Sequence, residues 1–112
     1  MLVCLHFGLA EDVQEGNYWF ASCPEEGLLA NRRQVKGILK RSGKVLAVFS
    51  GHQHWTKTIV EEGIPYFLVG SMTENIGGDG VPDGVYLMAE TDGKQIAVTE
   101  HHIRLKHHIR LG

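Results

Sequence analysis

The chain has 112 residues, room for one domain with a core and little more. Its 11 basic and 13 acidic side chains leave a net charge of −2, so composition gives no electrostatic footing for nucleic acid or an anionic membrane. At 43% hydrophobic and 21% charged residues it reads as an ordinary soluble globular sequence.

Residues 2–7 are an apolar run suited to a buried strand, with His6 at its end. The segment lacks a basic leader and is far too short to span a bilayer. Residues 8–27 break the pattern: acidic and small residues surround Asn17-Tyr18-Trp19-Phe20, and Pro24 forbids a regular element. A loop of this length in a compact domain is functional or mobile, so it could cover a site. Three consecutive aromatics could stack on a planar ligand, but the better reading is an anchor that pins the loop to the core.

Asn31 followed by Gln34 has the spacing of a capping box, and Val35, Ile38 and Leu39 fall on one helical face opposite Arg32, Arg33, Lys36, Lys40 and Arg41. Gly43 is a suitable stop. Residues 44–50 form a continuous apolar run, as expected of a strand covered on both faces. Strand, loop, helix and strand make a crossover unit, which should bring His6 and the next turn to one end of a parallel sheet. That turn is Gly51-His52-Gln53-His54. Neutral imidazole is a common ligand for Zn²⁺, Mn²⁺ and Fe, and sites in α/β folds sit beyond strand ends.

Residues 57–62, 65–69, 85–90 and 95–101 are short strand-like runs separated by turn residues, of which Asp92-Gly93 carries a two-residue hairpin signal. The second part is therefore expected to be an antiparallel meander. Gly77-Gly78-Asp79-Gly80 lacks the Lys-Ser/Thr ending of a phosphate cradle and reads as a hairpin loop. The tail repeats itself: His101-His102-Ile103-Arg104-Leu105, then His107-His108-Ile109-Arg110-Leu111. As one strand it would keep Ile103, Leu105, Ile109 and Leu111 on one face. Cys4, in a predicted buried strand, and Cys23, in the loop, are expected to be plain reduced thiols of a cytoplasmic protein.

A strand ending in histidine, a helix, a second strand ending in Gly-His-x-His, then Gly63-Ile64-Pro65-Tyr66-Phe67 and Gly70-Ser71-Met72-Thr73-Glu74 resemble the calcineurin-like metallophosphoesterase superfamily. The likeness is closer to the C-terminal half of a bacterial member. It implies an α/β fold with a β-sandwich flanked by helices, hydrolysis of phosphomonoesters or phosphodiesters, and two divalent ions, Mn, Fe or Zn. By motif, His6 and His52 match ligands of the second ion and His54 a ligand of the first.

The superfamily's Asp-x-His, Gly-Asp-x-x-Asp and Asn-His-Glu motifs do not occur, and Glu74, Asp79 and Asp83 stand in none of them. Three histidines over two ions are too few, because even catalytic zinc keeps three protein ligands. Neither a catalytic residue nor an organic-cofactor site is assigned. Residues 1–112 are thus expected to form a single partial domain. In it, 1–54 run from strand to histidine turn and 55–112 supply antiparallel strands and a His-rich tail. The apolar face left by a missing half should draw in a second copy or that half itself. The rival reading is an inactive β-rich module that self-associates.

Overall fold

The computed structural model describes residues 1–103 and the backbone of 107–110. Its first sheet has four strands: β1 (Leu2–Leu5), β2 (Ala47–Ser50), β3 (Lys57–Glu61) and β4 (Ile64–Leu68), arranged β1-β2-β4-β3. β1 pairs parallel with β2, placing Leu5 opposite Ser50, and α1 (Arg32–Ser42) supplies the crossover. The second sheet, β5 (Val85–Thr91), β6 (Ile96–His102) and β7 (His107–Arg110), is antiparallel in the order β5-β6-β7. The expected α/β class holds. The meander needs two revisions: its strands divide between the two sheets, and β4 inserts between β3 and β2 and runs parallel to β2. The tight Glu62-Gly63 turn, with φ of 51° and 80°, reverses β3 into β4, so the hairpin's second strand lies parallel to β2.

Two core layers follow from the two faces of β2. On one, Val48 packs with Leu9, Ala10, Ile64 and Tyr66 beneath Val35 and Leu39 of α1. On the other, Ala47 packs with Phe67 and with Val98 of the second sheet. A strand covered on both faces reads as an unbroken apolar run, which is why the sequence showed one.

Local chemistry corrects several expectations. Asn31 caps α1 by position only: its φ and ψ of −97° and 29° lie outside the extended region from which a cap side chain folds back, and it makes no side-chain cap bond. Ile38 is 58% exposed, because Val35 and Leu39 alone are enough to seat this short helix. Gly43 ends the helix in the left-handed conformation, as expected. Thr91 pairs with Ile96, so the hairpin loop has four residues rather than two, with Asp92 Oδ1 accepting from the Lys94 and Gln95 amides at 2.8 Å each. Those bonds hold the Asp92 carboxyl below its ordinary pKa. The tail repeat is not a single strand. Its first copy closes β6 and its second forms β7, pairing His101 with His108 and His102 with His107. Leu105 and Leu111, on which the one-face expectation partly rested, lie outside the described residues.

Candidate metal centre

β1 and β2 end side by side, and the amide of Gly51 donates to the carbonyl of His6 at 3.1 Å. This pairing brings His6 and His52 together from positions 46 residues apart: His52 Nδ1 lies 3.0 Å from His6 Nε2. The other ring nitrogen of His52, Nε2, is 2.8 Å from the carbonyl oxygen of Glu26. A carbonyl can only accept, so Nε2 carries the proton and the Nδ1 lone pair points at His6. Phe7 and Phe20 pack on the His52 ring, with centroids at 4.4 and 4.7 Å, and fix its plane. A cavity of about 490 Å³ opens beside it, walled by Phe7, Phe20, Leu28 and Leu29.

His54 has different surroundings. Its ring meets Trp19 edge-to-face at 4.7 Å, and its buried Nδ1 has no hydrogen-bond partner among the described residues. Burial is the largest influence on its pKa and pushes it down; the Glu74 carboxylate opposes this, while His52 and His6 add to the fall. Both turn histidines hold positive φ, 66° and 61°, a conformation that costs a non-glycine residue free energy. Gly51, by contrast, is not left-handed, and a Cβ added there would meet only Val69 Cγ1 at 4.0 Å. The strain of the turn is carried by the histidines.

A buried polar clamp opposes that strain, and sequence reasoning missed it. Asp12, whose side chain is 5% exposed, accepts from Gln53 Nε2 (3.2 Å), Trp55 Nε1 (3.0 Å) and Lys57 Nζ (2.9 Å). Asn17 donates to the Gln53 carbonyl at 2.9 Å and accepts from the Trp19 and Phe20 amides. The long loop is thereby fastened to the turn from beneath. Of the three aromatics, Trp19 donates to the Asn75 carbonyl and Phe20 seats on His52, whereas Tyr18 is 62% exposed.

The arrangement fits part of a metal site. Neighbouring ligands of a tetrahedral ion at about 2.0–2.1 Å lie roughly 3.3 Å apart, close to the 3.0 Å between His6 Nε2 and His52 Nδ1. The His52–Glu26 bond is the kind of outer contact that orients a ligating histidine. The fit ends there: among the described residues no three His, Cys, Asp or Glu side chains converge on one ion position. Asp12 is committed to four donors, Gln14 Nε2 included at 3.3 Å, and His54 stands apart from the pair.

No protein-family model matches the chain, and no curated protein sequence matches it. Among solved structures, it is similar to a single aspartate-to-alanine mutant of Vps29 from Entamoeba histolytica, with a TM-score of 0.50 at 20% identity over 70% of this chain. The fold is that of the calcineurin-like metallophosphoesterases. Wild-type Vps29 from the same organism, complexed with Zn²⁺, aligns at a TM-score of 0.49 and also 20% identity over 70% of the chain. The match covers 46% of the mutant chain and 44% of the wild-type chain, so this protein spans less than half the length of those structures.

Proposed function

We propose that the chain is one half of a metal-dependent phosphoesterase, a single partial domain of residues 1–112 that carries the histidine side of the metal centre. The carrying observation is the His6–His52 pair, with the Glu26 carbonyl holding the His52 proton on the far nitrogen so that Nδ1 is free to ligate. His6 and His52 hold one ion in this reading, and the orphaned Nδ1 of His54 serves another. The ion, Mn, Fe or Zn, supplies Lewis acidity toward a phosphate monoester or diester. His52 and Glu26 keep the ligand tautomer, Phe7 and Phe20 fix the plane of the ring, and the Asp12–Gln53 clamp holds the strained turn. The carboxylates come from further polypeptide. A parallel strand added to the outer edge of β1 would end beside His6, where the pair lacks oxygen ligands. The bacterial likeness of the motif and a cytoplasmic setting, suited to free Cys4 and Cys23, belong to the same proposal.

Metal analysis and Mn²⁺-dependent hydrolysis of an aryl phosphate by the full chain test it. Cation binding that His6→Ala and His52→Ala abolish, with no turnover, is expected. Two ions per chain with robust turnover contradicts the half-site. A second reading, an inactive self-associating module, draws on the apolar groove between β1 and β5, and predicts no cation binding at His6 and His52.

A further inference from the structure

The cavity of about 490 Å³ beside His52 has walls that the backbone fixes in place. Leu28 forms a parallel bridge with Gly8, just past β1, and the Leu29 amide donates to the Gly8 carbonyl at 2.9 Å. The Phe20 amide donates to Asn17 Oδ1 at 3.2 Å. Gly27 lets the Phe20 ring lie close, because a Cβ there would come within 3.3 Å of Phe20 Cγ and 3.1 Å of Gln14 Oε1. The volume falls within the range of about 300–1,000 Å³ usual for small-molecule sites. His6 is not among the lining residues, whereas Glu26, whose carbonyl accepts from His52 Nε2, is one of them. The cavity is therefore offset from the gap between His6 and His52.

Its charge has one sign. Glu25 and Glu26 border the cavity and are exposed, and neither carboxylate has a salt bridge or a side-chain hydrogen bond among the described residues. No lysine or arginine lines it. Other carboxylates on this chain are paired, as Glu11 is with Arg32 and Glu61 with Lys36.

We propose that this cavity binds a small aromatic ammonium, with its ring among Phe7, Phe20 and Leu28 and its cationic end at Glu25 and Glu26. Two phenylalanines favour an aromatic body, which they meet edge-on or offset, and they attract a cation as well. The carboxylates select the sign of the charge. A ligand carrying a carboxylate or phosphate at that end would meet like charge, with no basic group in the lining to offset it. Without the cavity, Glu25 and Glu26 would be a solvated acidic pair; without them, the cavity would take any apolar group. No ion at His6 and His52 is needed, so the inference does not rest on the phosphoesterase reading.

Aromatic-ring nuclear magnetic resonance of the full chain, kept metal-free with a chelator, tests the site with three probes of one shape: phenethylammonium, phenethyl alcohol and hydrocinnamate. Phenethylammonium should shift the Phe7, Phe20 and His52 ring signals with a Kd on the order of 1 mM. The neutral alcohol should bind more weakly and the anion most weakly. Glu25→Gln together with Glu26→Gln should weaken the ammonium about fivefold and leave the alcohol unchanged. Both positions are exposed, so far-UV circular dichroism should not change. Should the double variant fail to fold, the order of the three probes on the wild-type chain decides. Equal affinity for all three probes, ring signals that stay fixed up to about 10 mM phenethylammonium, or an ammonium affinity untouched in a folded double variant overturns the proposal.

Discussion

Around the histidine turn, polar groups are tied together: Asp12 takes four donors, the Asn17 side chain makes three bonds, and His52 has contacts at both ring nitrogens. Along β1 and β5 the opposite holds. Apolar side chains stand exposed, and strand edges have no partner strand among the described residues. The turn bears left-handed histidines because a clamp holds it. The flank bears exposed apolar residues with nothing in the described chain covering them. The contrast is between a turn whose polar groups satisfy one another and a flank whose apolar edge residues stay exposed.

Mutations can break or sharpen this contrast. Asp12→Ala should be the most damaging, since it leaves the Gln14, Gln53 and Trp55 donors without their acceptor and Lys57 without its ion pair; a loss of about 3 kcal/mol is expected in urea denaturation. A loss under about 1 kcal/mol would remove the distinction between clamp and flank. Glu11→Gln should cost about 0.5 kcal/mol at neutral pH, because Glu11 bridges Arg32 at 2.9 Å but its side chain is 49% exposed. Its carboxyl is held below the ordinary value, chiefly by the Arg32 hydrogen bond. The unfolded chain therefore binds this proton first, and the contribution is full above the unfolded pKa and lost as pH falls through the lower folded one. Wild type and variant should differ at pH 7 and converge in urea midpoints only as pH falls below the ordinary glutamate range. Cys4→Ser, on the open flank, should shift stability by no more than about 0.5 kcal/mol. The sequence placed Cys4 in a buried strand, but it is exposed because β1 is an edge with an open groove beneath it.

The crossover, the closeness of His6 to the turn and the stop at Gly43 were legible, because strand periodicity, connection handedness and glycine conformation are local or topological rules. The resemblance read from Val48 to Glu74 pointed to the right fold. Other features were not legible for stated reasons. Apart from Gln14, the partners of Asp12 lie 41 to 45 residues away, and a single carboxylate in a loop announces nothing. The Glu26 carbonyl that sets the His52 tautomer is backbone, so no residue type signals it. Nor does a His-x-His spacing tell that each ring meets different neighbours, since alternation applies to strands and this turn is left-handed. The four-residue Asp92 loop escaped because the Asp-Gly signal cannot distinguish it from a shorter turn.

The central claim is that His6 and His52 are two ligands of one ion in a site this chain does not complete. Ring ¹⁵N nuclear magnetic resonance during Zn²⁺ titration tests it most directly. The account predicts that His52 Nδ1 and His6 Nε2 move together at one equivalent while His52 Nε2 keeps its proton. Ring signals of His6 and His52 that stay fixed while only the tail histidines respond would contradict it.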